Sequence, residues 1–165
     1  MDAIAEHTAT NWMHEAAARA RAASNALAQS PAATRNAALH EAATALRAAG
    51  AAIVAANTRD LAAFDAAGGT PAFRDRLALT PARVEAMPQG LDDMAALPDP
   101  LARPRADWTM PNGLHFQRIA APIGVSGMVD ESRPNVGADA AGLRLTSGNA
   151  VILRGGSDSF HPARA

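Results

Sequence analysis

PIGVSGMVDESRPNVGADAAGLRLTSGNAVILRGG, residues 122–156, is the stretch that decides how this chain folds. Ile123 to Val129 is a short apolar run rich in β-branched residues, and Ala150 to Leu153 is a second, bounded by glycine; both have the composition of strands. Between them Val136, Ala140 and Leu143, with Ala141 and Leu145, recur at helical spacing, and Gly148 stands where a helix end is capped. Two short strands joined by one helix predict a βαβ unit, hence parallel strands covered on both faces. Ligands of open α/β sheets bind beyond the carboxyl ends of the strands. Those ends carry Asp130-Glu131-Ser132-Arg133-Pro134-Asn135 and Arg154-Gly155-Gly156-Ser157.

Three of these residues have a chemical and a plain structural reading. The Asn135 amide can donate to a developing oxyanion without titrating, or it can cap the following helix. The Arg133 fork suits a carboxylate or phosphate, or an ordinary ion pair with Glu131 or Asp130. Arg154, followed by two glycines that let a ligand approach the backbone, suits a nucleotide phosphate, or simply leaves the strand in a turn. No G-x-G-x-x-G follows either strand, and Gly124 and Gly127 are expected within the first strand. The usual dinucleotide fingerprint therefore fails.

Upstream, residues 1–98 read as a helical region. Ser30-Pro31, Thr70-Pro71 and Thr80-Pro81 each place a capping hydroxyl before a proline at the first helical position. Leu39, Ala43 and Leu46 mark one buried stripe; Ile53, Asn57, Leu61 and Phe64 mark another, closed by Gly68-Gly69. Pro88 falls inside the helix that starts at Thr80, where it should kink or break it at a cost of about 3 kcal/mol. Residues 99–121 read as a Pro-rich connector and a β-hairpin, because Asn112-Gly113 lies between Asp107–Met110 and the alternating run Leu114–Ile119. The last part, 122–165, holds the βαβ unit.

At 165 residues the chain has the length of one domain. With 48% hydrophobic residues but only 4% aromatic, its core must be built largely of alanine. A net charge of -1 gives no electrostatic reason to expect nucleic acid or a membrane surface as partner. All 15 basic residues are arginine, as a GC-rich genome would favour. The absence of cysteine excludes disulfides, thiolate metal sites and a cysteine nucleophile from these residues. His7 and His14 lie about two turns apart, too far for a compact chelate, so no metal is expected. No stretch has transmembrane length, and the N-terminus is acidic and polar rather than a signal peptide; a soluble, cytoplasmic protein is the expectation.

The same residues resemble gamma-glutamyl phosphate reductase (glutamate-5-semialdehyde dehydrogenase) of the aldehyde dehydrogenase superfamily. The resemblance rests on RDRLALTPAR at 74–83, PIGV at 122–125, ESRPNV at 131–136 and ADAAGLRLTSGNAVILRGGSDS at 138–159. It implies an α/β fold: a helical N-terminal region, a β-hairpin, then the first βαβ unit of a Rossmann-like, NADP-binding domain, truncated. It implies reduction of gamma-glutamyl phosphate to glutamate-5-semialdehyde with NADP(H), in proline biosynthesis. It places Asn135 at the oxyanion, Arg154 with Gly155, Gly156 and Ser157 at the nucleotide, and Arg133 near the acyl phosphate or substrate carboxylate. In the superfamily a catalytic cysteine forms a thioester, which this chain cannot do. The chain is therefore expected to resemble the N-terminal part of the enzyme and to be inactive alone. The alternatives are a non-catalytic NADP-binding or subunit-association module, homo-oligomeric through the hairpin, or a remnant without function. Asp130, Ser126 and Pro88 depart from the family pattern.

Overall fold

A computed structural model describes residues 2–165, and of residues 2–9 the backbone only, so the His7 side chain lies outside the described residues. The fold is mixed α/β. Its elements run α1 (Asp2–Ala28), α2 (Ala32–Ala66), α3 (Pro71–Leu77), α4 (Pro81–Ala96), β1 (Ala106–Thr109), β2 (His115–Arg118), β3 (Val125–Val129), α5 (Val136–Thr146) and β4 (Ala150–Arg154), then two short 3₁₀ turns, Ser157–Ser159 and Pro162–Arg164.

The two stripes upstream belong to one helix. Alanine, the strongest helix former, fills α2 for 35 residues. Arg35, Leu39 and Ala43, and then Ile53, Asn57 and Asp60, are its buried residues, each set spaced by three or four. Of these, Leu39, Ala43 and Ile53 pack on Val84, Met87, Leu91 and Ala95 of α4 in two neighbouring clusters. Asn57 is 1% exposed, and its amide donates to the Leu77 carbonyl (2.9 Å) and accepts from the Leu79 N–H (2.7 Å). The α3–α4 connection is thereby pinned to α2.

Two features of the helices differ from the sequence reading. Pro88 neither ends nor divides α4, which runs through it. Its missing N–H costs about 3 kcal/mol, whereas burying side chains such as Met87 and Leu91 returns about 1.5–3 kcal/mol each, so packing wins. Of the three hydroxyls, Thr80 caps α4 by accepting from the Arg83 N–H at 3.2 Å. Thr70 occupies the cap of α3 without a side-chain bond. Ser30 caps nothing at the start of α2: Pro31 is the N-cap residue, and the Ser30 hydroxyl donates to the Leu27 carbonyl at 2.8 Å. The α1–α2 turn is so short that this hydroxyl serves the helix it leaves.

β1 and β2 pair antiparallel, Ala106 opposite Arg118 and Thr109 opposite His115. The Gly113 N–H donates to the Met110 carbonyl at 2.9 Å, and Gly113 takes a φ of 89° that few other residues adopt. Trp108 and Phe116 stack at 5.5 Å on one face of the ribbon, with Asp107, His115 and Gln117 bonded together on the other.

β3 and β4 pair in parallel, Val125 opposite Ala150 and Val129 opposite Arg154, with α5 between them in the chain. β3 starts two residues later than the apolar run suggests. Gly124 (φ 113°) precedes the strand rather than lying in it, and its N–H goes to the Asn149 side chain at 2.8 Å. Arg154 joins β4 because its carbonyl accepts from the Asp130 N–H at 2.9 Å. Gly148 closes α5 as expected: φ is 71°, the Gly148 N–H reaches the Leu145 carbonyl, and the Asn149 N–H reaches that of Arg144. α1 packs on β4 and β3 with Ala16 and Ala20 buried, while α5 packs on β4 and α4. No helix among the described residues is long and apolar enough to cross a membrane.

Ser126 of β3 carries a buried hydroxyl with no hydrogen-bond partner. Such a group costs about 1–3 kcal/mol. Ser126→Val, which removes the hydroxyl in a residue suited to strands, is expected to raise stability by about 1–2 kcal/mol in urea unfolding followed by circular dichroism. A lower midpoint for the variant would refute this account of the site.

Candidate functional site

The parallel register sets the carboxyl ends of β3 and β4 side by side, so two loops meet there: residues 130–135 and residues 155–160. The first loop is kinked at Ser132, the one non-glycine residue among those described with positive φ (58°). Ser132 is 2% exposed, and its hydroxyl donates to Asp158 Oδ2 at 3.0 Å. The second loop crosses it closely. A Cβ on Gly156 would sit 3.2 Å from the Ser132 nitrogen and 3.3 Å from Glu131 Cα.

The candidate residues distribute around this crossing. Asn135 is half-buried at the N-cap of α5 in helical conformation (φ −74°, ψ −25°), and its side chain makes no capping bond. Arg133 is exposed and makes no ion pair with Glu131, Asp130 or any other described carboxylate, which sets aside the ion-pair reading. Arg154 is likewise exposed and unpaired at the end of β4. Arg154 and Gly155 line a cavity of about 460 Å³ with Asp130, Pro134 and Ser159 at the loops. Its walls are apolar: Met128 and Leu153 from the strands, and leucines of α2, α4 and α5. Arg133, Asn135, Gly156 and Ser157 lie outside it; Ser157 borders a smaller hollow of about 180 Å³ beside Asp60 and Phe64. The structure thus gathers the candidates at one end of the sheet without placing them in a single pocket.

Sequence reasoning missed the groups that hold the second loop. Asp60 of α2, 6% exposed, accepts from the His161 N–H at 3.1 Å, and its other oxygen lies 2.5 Å from His161 Nδ1. The pair is separated by 101 residues, so no local pattern signals it. No three His, Asp or Glu side chains converge as metal ligands among the described residues. Asp139, in the first turn of α5, has a partly buried carboxyl that burial pushes above its usual range.

Comparison with known proteins places these residues in context. No family model matches the chain. The gamma-glutamyl phosphate reductase of Gluconobacter oxydans is 58% identical over 165 residues, all of this chain and 36% of that protein. That of Rhodospirillum rubrum is 58% identical over 147 residues, 89% of this chain and 34% of that protein. The crystal structure of gamma-glutamyl phosphate reductase from Thermotoga maritima matches 91% of this chain and 36% of its own, with a TM-score of 0.85 and 33% identity. The Saccharomyces cerevisiae structure of the same name matches 87% of this chain and 36% of its own, with a TM-score of 0.82 and 36% identity. The chain spans about a third of the length of the curated relatives it matches.

The sign of the Asp139 effect is fixed by its raised pKa. Below the ordinary carboxylate range, about pH 4, folded and unfolded states both hold the proton and burial carries no charge penalty. As pH rises from the ordinary value to the raised folded one, the unfolded chain gives up its proton first, so the penalty builds and stability falls across that window. Asp139→Asn is expected to match the wild type in urea near pH 3 and to exceed it at pH 7. An equal gap at both pH values would show that burial of the charge is not the cause.

Proposed function

We infer that this chain, similar to gamma-glutamyl phosphate reductases along its whole length, is the N-terminal, nucleotide-binding part of such an enzyme. The activity proposed for the whole enzyme is reduction of L-glutamate 5-phosphate to L-glutamate 5-semialdehyde and phosphate, a step of L-proline biosynthesis in the cytoplasm. The observation that carries this reading is the meeting of two polar loops at the carboxyl ends of β3 and β4, in a chain 58% identical to a protein of that name.

The donor set fits NADP(H). Arg154 ends a parallel strand and forms no ion pair, although Asp130 lies beside it at the end of β3, and a guanidinium fork matches the oxygens of a 2′-phosphate. Exposed Gly155 leaves its backbone open to a nucleotide, with Gly156 and the Ser157 hydroxyl following in the same loop. When bound, NADPH supplies the hydride. Asn135 donates its unbonded amide N–H to the acyl oxygen as negative charge develops there. Arg133 holds the acyl phosphate or the substrate carboxylate. The covalent acyl step needs a cysteine thiolate, which these 165 residues do not contain, so the chain by itself binds nucleotide without turnover.

A second role, subunit association, is favoured by the hairpin. Trp108, Met110, Leu114 and Phe116 are all more than 40% exposed on a ribbon too small to be stable alone. The proposed partner is a second copy of the enzyme subunit.

The nucleotide reading is tested by thermal unfolding of the chain with added NADPH or NADH. The melting temperature is expected to rise with NADPH and to rise less with NADH. Arg154→Ala is expected to weaken NADPH about tenfold or more, as for a hydrogen bond to a charged group worth about 1.5–3 kcal/mol, and to leave NADH unchanged. A flat NADPH response of the wild type would overturn the proposal.

A further inference from the structure

We propose that Ser132 and Asp158 are positioning residues for this site: their hydrogen bond locks the loop bearing Arg133 and Asn135 to the loop bearing Gly155, Gly156 and Ser157. The inference rests on the nucleotide reading above.

The argument starts from conformation. A non-glycine residue at positive φ is held there by its surroundings, and such strain collects where a site requires a particular backbone path. At Ser132 (φ 58°) the kink redirects the chain after β3, so that Arg133, Pro134 and Asn135 lead directly into α5. What holds it is visible. The buried Ser132 hydroxyl gives its hydrogen to Asp158 Oδ2 at 3.0 Å. Asp158 Oδ1 lies 3.4 Å from the Ser157 hydroxyl, so one carboxylate reaches a serine of each loop. Gly156 has no side chain, and one would press on backbone of the first loop at 3.2–3.4 Å. The second loop is itself tied to α2 through His161 and Asp60. Ser132 is 2% exposed and its hydroxyl is engaged by Asp158, so it is not presented to a substrate. The part of the pair is to fix how far Asn135 and Arg133 stand from the nucleotide loop.

The test uses the chain with Ser132→Gly, Asp158→Ala, the double variant and Asp158→Asn. Glycine adopts positive φ freely, so Ser132→Gly removes the hydrogen bond without adding strain; Asp158→Asn keeps an acceptor oxygen. Hydrogen exchange is read in both loops, and NADPH affinity is read by titration. The expected result is faster exchange in both loops from either single variant and a double variant no worse than either. NADPH affinity, read well below each variant's melting temperature, is expected to fall about tenfold and to return in Asp158→Asn. Exchange changes confined to the mutated loop, or an affinity loss that Asp158→Asn does not restore, would overturn the proposal. A wild type with coupled loops but no NADPH binding would overturn the nucleotide reading while supporting the lock.

Discussion

The face that α2 presents to α4 anchors everything that reaches the candidate site. Leu39 and Ala43 meet Leu91 and Ala95 there, and the small side chains allow a close approach of the two helices. α4 in turn positions α5. Gly142 lies so close to α4 that a Cβ would fall 2.6 Å from Leu91 Cδ2 and 2.8 Å from Met94 Sδ. α5 then fixes where the loop after β3 must end. Further along α2, Asp60 holds the loop after β4 through His161. One helix therefore sets both loops, one through two neighbours and the other directly.

An alanine-built core has a physical price in specificity. Alanine gives little apolar area to bury, and position along the interface is weakly marked when side chains are small. Polar groups supply the missing register. Asn57 pins the Leu77–Leu79 stretch, Arg35 ties the α1–α2 turn to Asp99 at 2.7 Å, and Asn36 reaches the Ala95 carbonyl at 2.9 Å. On the surface, Asp92 bridges His40 and Arg47 between α2 and α4, and these hydrogen bonds hold its carboxyl below the usual range.

What could be read from the sequence was local. The Asn112-Gly113 turn, the βαβ order and the Gly148 helix end depend on neighbours a few residues away, and the structure places them as read. The exact limits of β3 were not legible, because a tertiary bond from Gly124 to Asn149 decides them. That α4 is not broken at Pro88 was not legible, because helix propensity was weighed without the packing that opposes it. Ser30 was misjudged because a hydroxyl pattern does not say which of two adjacent helices it serves. At the candidate site, Arg133, Asn135 and Arg154 were legible as residue types at strand ends. The Ser132–Asp158 and Asp60–His161 pairs were not, since each joins residues far apart in sequence through geometry that only the folded chain creates.

The stacked Trp108 and Phe116 on the hairpin also govern how this protein can be observed. The chain has two tryptophans and no tyrosine. Trp108 is 43% exposed on the ribbon and Trp12 is 54% exposed on α1, so both lie at the periphery. Intrinsic fluorescence therefore reports fraying of the ribbon and of the first helix. The alanine-packed centre and the strand ends stay optically silent unless a probe is placed there.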